Sequence, residues 1–245
     1  MSEALLEVAG LSKRFGGFVA LDGIDLAVNS GERVGLIGPN GSGKSTLVNC
    51  ICGTLANESG RISFGGKDIG ALKTHERTRR GIARSFQLPR PFASLTVAEN
   101  LRVPLLYTVD ARGGPHLSAI EINARCADLL ELVGLAGKAG LRPRDLTQVD
   151  MRKLELARAM AAEPQLLIAD ESMAGLSQVE VADIVALLIA LNGRGVTIIL
   201  IEHIMRAVMQ FSQRLVVLVS GAKIADGAPE AVIRDPQVER AYLGQ

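Results

Sequence analysis

Residues 38–46 read GPNGSGKST and fit the pattern G-x-x-x-x-G-K-[ST], with Gly38, Gly43, Lys44 and Ser45 in the fixed places. Immediately before them, Arg33, Val34, Gly35, Leu36 and Ile37 form a short apolar run that predicts a buried strand. Immediately after, residues 45–51 contain no breaker and predict a helix. A strand, a glycine-rich turn and a helix in that order aim the unpartnered first-turn N–H groups of the helix at one spot, together with the positive end of its dipole. Such a spot suits a polyphosphate. The backbone of Gly38, Pro39, Asn40, Gly41, Ser42 and Gly43 would wrap the β-phosphate, and Lys44 would add a charge on the β- and γ-oxygens. The Ser45 hydroxyl could reach a Mg2+ ion, and Thr46 completes the motif. The competing reading is a glycine- and serine-rich turn that binds nothing. The flanking strand and helix favour nucleotide binding over it.

A second stretch points to the same chemistry. Gln165, Leu166, Leu167, Ile168 and Ala169 lead without interruption into Asp170 and Glu171. A parallel strand buried on both faces has this composition, and ligands in such sheets gather beyond the carboxyl ends of strands. Asp170 could then hold Mg2+ through water, while Glu171 could orient a water against the γ-phosphate. Two adjacent acids elsewhere would be read as a solvated loop. A further apolar run at residues 196–201 ends at Glu202 and His203. His203 is either an ordinary polar strand terminus or a donor to a γ-phosphate oxygen. Residues 81–86 predict a strand ending at Gln87, where Pro89 and Pro91 force an irregular loop. Gln87 either caps that turn or reaches a metal or its water.

The remaining segments frame an α/β fold. Residues 4–29 alternate apolar and polar, with Gly16-Gly17 and Asp22-Gly23 as turn signals, and predict an antiparallel sheet. Phe15 stands beside the glycine pair, where it is either a core ring or a ring that stacks on adenine. Residues 73–80, KTHERTRR, read as a solvated helix face. Thr96 to Glu99 has the form of a capping box that starts a helix running towards Pro104, and residues 107–117 have the least ordered composition. Residues 118–133 predict a helix with Ile120, Ala124, Ala127, Leu130 and Leu132 on or near one face. A hairpin through Ser220-Gly221 and a helical tail with Pro229 and Pro236 at helix starts close the chain. The expected organisation is one domain over 1–245: a core with a mostly parallel sheet and an N-terminal antiparallel β subdomain, from 1–87 and 163–245, and a helical subdomain inserted at 88–162.

Composition limits the partners. Apolar residues are 48% and charged residues 22%, with a net charge of +1, so no nucleic-acid partner is expected. Three cysteines give no disulfide framework and no metal spacing. The N-terminus lacks the features of a signal peptide, and the longest apolar runs are too short to cross a bilayer.

Together these stretches resemble the nucleotide-binding subunit of ATP-binding cassette (ABC) transporters, a P-loop NTPase fold, across essentially the whole chain. The quoted parts are residues 38–46, Gln87, Asp170-Glu171, the loop Ala174, Gly175, Leu176 and Ser177, and His203, in the family's order. The resemblance implies that Phe15 stacks on adenine, Gln87 links Mg2+ to the membrane subunit, Glu171 is the general base and His203 senses the γ-phosphate. It also implies ATP and Mg2+ as cofactors, ATP hydrolysis coupled to transport, a second ATPase subunit and transmembrane permease subunits. The place it implies is the cytoplasmic face of the plasma membrane. The stretch ARSFQLPRPFASLTVAENL and the end of the chain, IEHIMRAVMQ to GAPEAVIRDPQVERAYLG, are similar to the ATPases of branched-chain amino acid importers, which work with a solute-binding protein. Exporter ATPases for lipid or lipopolysaccharide and non-transport ABC regulatory clamps are the alternatives.

One departure from the family pattern lies at the signature, usually LSGGQ or LSYGQ and here Leu146, Thr147, Gln148, Val149 and Asp150. In the family the signature contacts the γ-phosphate held by the other subunit, a contact for which Thr147 keeps the hydroxyl. Val149 adds a side chain where close approach needs none, and Asp150 adds negative charge. At about 5 Å and an effective dielectric near 20 that charge would repel a phosphate by roughly 3 kcal/mol. Pairing with a different ATPase subunit is therefore expected, with a homodimer as the alternative. Ser172 also replaces a usual proline, and Ile204 a frequent aspartate.

Overall fold

The computed structural model describes residues 4–86, 88–113 and 116–243. The chain begins with β1 (Ala4–Phe15) and β2 (Phe18–Asn29), paired antiparallel around the Gly16-Gly17 turn. With β4 (Ser59–Phe64) and β5 (Lys67–Asp68) they make a four-stranded antiparallel sheet in the order β2-β1-β4-β5. Asp22-Gly23 is not a turn. It lies inside β2, where Gly23 takes φ 62° and the register with β1 shifts, as a bulge does when one strand carries an extra residue.

The second sheet holds six strands: β3 (Arg33–Ile37), β6 (Ile82–Ser85), β7 (Leu166–Asp170), β8 (Thr197–Ile201), β9 (Arg214–Val219) and β10 (Ala222–Gly227). Their order is β10-β9-β3-β8-β7-β6, parallel except for β10, which returns antiparallel to β9. Alternate residues of the central strands enter different cores, as the two-residue strand period requires. Leu166, Ile168, Ile199 and Ile201 face one side, packing with α1 (Lys44–Cys52) and the antiparallel sheet. Leu167, Ala169, Ile198 and Leu200 face the other side, packing with helices. Burial on both faces explains why these strands read as unbroken apolar runs.

The helices are α2 (Thr74–Arg79), α3 (Val97–Pro104), α4 (Ala119–Leu132), α5 (Gln148–Met160), α6 (Gln178–Gly193), α7 (Met205–Phe211), α8 (Pro229–Val232) and α9 (Pro236–Leu243). Three details differ from the sequence expectations. Helix α3 ends at Pro104 as expected, but helical turns rather than a loop come next. The chain continues in a π-helical turn, Leu105–Val109, and a 3-10 turn, Asp110–Arg112, through much of the stretch whose composition suggested least order. Helix α4 buries Ile122, Cys126 and Leu130, and Ile120 is 81% exposed, because packing against α3 and α5 selects the face. Arg77 is buried and does not belong to a solvated face: its guanidinium bonds the carbonyls of Cys50 and Ile51 at the end of α1. The three cysteines are buried and free.

Candidate functional site

Strand β3 delivers the chain into residues 38–46, and α1 leaves from Gly43. The turn needs glycine at two places. A Cβ on Gly38, at φ 154°, would lie 2.1 Å from the Leu218 carbonyl oxygen, and one on Gly43, at φ 105°, 2.6 Å from that of Ala20. Helices α3, α4, α5 and α6 each begin with a side-chain capping box, whereas α1 has neither a side-chain cap nor an acidic residue in its first turn. Its N-terminal N–H groups are therefore left for an anion. Lys44 is buried, and its Nζ donates to the carbonyl of Gly38 at 2.7 Å and of Pro39 at 3.0 Å. Burial lowers the Lys44 pKa, against the opposing pull of Glu171 and Asp170.

A cavity of about 200 Å³ lies over this loop, bordered by Phe15, Phe18, Asn40, Lys44, Thr46 and Glu171. Phe15 is half exposed, so the core alternative does not hold for it. Phe18, its register partner across the turn, also borders the cavity. Sequence reading missed Phe18 because the turn pairing that sets the two rings opposite one another carries no motif.

Asp170 closes β7, and the next residue turns sharply, Glu171 at φ 46°, with its N–H donating to the Ile201 carbonyl at 2.9 Å. That bond ties the end of β7 to β8 and brings Glu171 level with His203. Glu171 Oε1 and His203 Nε2 lie 2.8 Å apart. Between them in sequence, buried Glu202 accepts from the Met173 N–H at 2.8 Å and anchors the segment after Glu171. Burial pushes the Glu202 carboxyl above the usual carboxylate range, against the N–H groups of Met173 and His203. Gln87 lies outside the described residues.

The LTQVD segment has a different setting from the one expected. Thr147 caps α5: its hydroxyl donates to Asp150 Oδ2 at 2.7 Å and accepts from the Asp150 N–H at 3.3 Å. Asp150 is buried and bonds Lys138 Nζ at 2.5 Å, so it does not present an open negative charge. Burial works against its ionisation, but the bonds from Lys138 and Thr147 hold its carboxyl below the usual range. The roughly 3 kcal/mol repulsion estimated for a bare charge is therefore offset inside the chain. Gln148 and Arg152 donate to the Ala174 carbonyl, joining this segment to the loop at residues 174–177. Thr147 does not border the cavity over the phosphate loop of its own chain.

A family profile described as ABC transporter matches residues 21–174. The chain belongs to the ABC transporter family. It is an ATP-binding cassette, the ATPase type of that family. It is 38% identical, over the full length of both chains, to the high-affinity branched-chain amino acid transport ATP-binding protein BraF of Pseudomonas aeruginosa. It matches the ADP conformation of an ATP-binding cassette of an ABC transporter with TM-score 0.88 and 32% identity, covering 100% of each chain. A dimeric post-hydrolysis cassette bound to ADP and Pi matches with TM-score 0.80 and 25% identity, over 91% of this chain and 98% of that one.

The Ser45 hydroxyl and the Asp170 carboxylate are hard oxygen donors of the kind Mg2+ takes. Among the described residues no group of three or more His, Cys, Asp or Glu side chains could hold a metal alone. One hydroxyl and one carboxylate are two oxygen donors, a number compatible with an ion that takes its other ligands from water and phosphate.

Proposed function

We propose that this cassette is the ATP-hydrolysing subunit of an importer for branched-chain amino acids or related small polar solutes. The observation that carries this reading is the full-length 38% identity to a branched-chain amino acid transport ATP-binding protein, in a chain with a phosphate loop and a Glu171–His203 pair. Residues 38–46 bind the phosphates, and Phe15, with Phe18 beside it, offers a ring face to the adenine. Ser45 and Asp170, together with Gln87, would hold Mg2+. The ion, when bound, screens the charge of the β- and γ-phosphates. Glu171 accepts the proton of the attacking water, and His203, 2.8 Å from it, steadies that carboxylate and meets the γ-phosphate.

Residues 88–162 act as the helical arm that carries Thr147 to nucleotide held by a second ATPase subunit. We infer that this second subunit is a different chain with a regular signature, since Val149 brings a β-branched residue where that signature has glycine, although its side chain packs partly against the helical core and Lys138 offsets Asp150. The permease subunits dock where exposed Phe86, Leu88 and Phe92 follow β6, beside a cavity of about 280 Å³. Attachment through them keeps the cassette at the cytoplasmic face of the membrane. No helix among the described residues is long and apolar enough to cross it. The test is purification of the intact complex from membranes. The reading expects two membrane subunits, a second ATPase, and ATP hydrolysis stimulated by a solute-loaded binding protein. Recovery with membrane subunits that take no binding protein would overturn import, and recovery with no membrane subunit would overturn transport.

A further inference from the structure

Asp170 does not stand alone at the end of β7. In the parallel pairing of β6 with β7, Arg84 lies opposite Ile168, two residues before Asp170. The strand period puts Ile82, Arg84, Ile168 and Asp170 on the same face of the sheet, the one covered by α1. On α1, Asn49 follows Ser45 by four residues and so shares its side of the helix one turn further on. The Arg84 guanidinium spans these two elements. Its Nη2 donates to Asp170 Oδ2 at 2.5 Å, and its Nη1 donates to Asn49 Oδ1 at 2.7 Å. The ion pair at one end of this bridge is largely shielded, with the Arg84 side chain 15% and the Asp170 side chain 11% exposed. The Phe86 ring closes over the guanidinium, its centroid 5.3 Å from Cζ.

Resting on the reading of Asp170 as a metal carboxylate, we propose that Arg84 is a positioning residue for it. A carboxylate at a strand end can rotate about two side-chain bonds. Here Oδ2 is committed to a rigid planar donor that is itself pinned to the helix of the phosphate loop, which leaves Oδ1 as the open acceptor. The bridge fixes the carboxylate relative to Ser45 before any ion arrives, because Asn49 and Ser45 move as one helix face. A lysine would keep the charge and lose the fork that reaches both partners at once.

The experiment titrates the full chain with methylanthraniloyl-labelled ATP by fluorescence, in EDTA and across a series of Mg2+ concentrations. Arg84→Gln is expected to raise the half-saturating Mg2+ about tenfold or more, the usual effect of losing a partner that orients a metal-ligating group. Its affinity in EDTA, carried by residues 38–46, should stay within about twofold, since no bond to the loop is lost. Asn49→Ala frees only the far end of the bridge and leaves no carboxylate without its cation, so it serves if Arg84→Gln does not fold. It should move the half-saturating Mg2+ the same way by a smaller factor, about threefold, because only part of the worth of that charged hydrogen bond is passed on to the ion. Arg84→Lys should fall between wild type and Arg84→Gln. An unchanged or lowered Mg2+ requirement in Arg84→Gln would overturn the proposal, the latter because the guanidinium would then be only a competitor of the ion. Equal losses with and without Mg2+ would overturn it too, as the sign of a merely structural role. If wild type binds nucleotide with no Mg2+ effect at all, the assignment of Asp170 fails first and the proposal falls with it.

Discussion

Replacing Arg77 by methionine should cost this cassette about 3–5 kcal/mol, as breaking a buried charged arrangement does. Arg77 rises from α2 beneath the last turn of α1 and is 3% exposed. It donates to the carbonyls of Cys50 at 2.6 Å, Ile51 at 2.9 Å, Leu72 at 3.0 Å and Gly70 at 3.0 Å. Two of these belong to the end of α1, where carbonyls lack helical partners and the dipole is negative. Gly53 leaves the room: a Cβ there would sit 2.7 Å from the guanidinium Nε. Each hydrogen bond from a charged donor is worth about 1.5–3 kcal/mol net, and the desolvation of the guanidinium offsets part of the sum. Methionine fills similar volume and satisfies none of the four oxygens. For a chain of this size the loss corresponds to a fall in Tm of about 6–20 °C. Urea unfolding followed by circular dichroism measures it, and a loss below about 1 kcal/mol would refute the view that Arg77 holds the end of the phosphate-loop helix.

Two further substitutions separate chemistry from stability. Glu171→Gln keeps the side-chain shape near His203 but removes the base, so ATP turnover in the complex should fall by about 10²- to 10⁴-fold with nucleotide affinity retained; unchanged turnover in a phosphate-release assay would exclude Glu171 from that role. Glu202 has a raised native pKa, so the stability tied to its protonation is complete below the ordinary carboxylate range and drains away as pH rises towards the native value. Glu202→Gln retains an acceptor for the Met173 N–H and should be more stable than wild type at neutral pH, the difference shrinking to nothing near pH 4. Parallel stability profiles for the two proteins would contradict this.

What could be read from the sequence follows from where the physics is local. Residues 38–46 carry their own turn requirement, and β7 and β8 announce themselves as apolar runs because both faces are covered. The same runs end in Asp170-Glu171 and Glu202-His203, so the site acids were legible in position. Their partners were not. Arg84 reaches Asp170 only through the register of β6 on β7, and Lys138 reaches Asp150 across a chain turn, neither of which has a sequence period. Ile120 and Ile122 are equally apolar, and only the helices packed against α4 decide which is buried. Gly23 reads as a turn locally, yet the pairing of β1 with β2 absorbs it as a bulge.

Every later step of this cassette depends on Mg-ATP being gripped by residues 38–46. Lys44 supplies a buried charge to that grip, and losing one such charged contact costs about 1.5–3 kcal/mol, or about 10- to 150-fold in Kd. Isothermal titration of the purified chain and of Lys44→Ala with Mg-ATP should give saturable one-to-one binding to the first and an affinity weakened by that factor in the second, with both proteins folded by circular dichroism. Absence of binding to the folded wild-type chain, or equal affinity in the two, would contradict it.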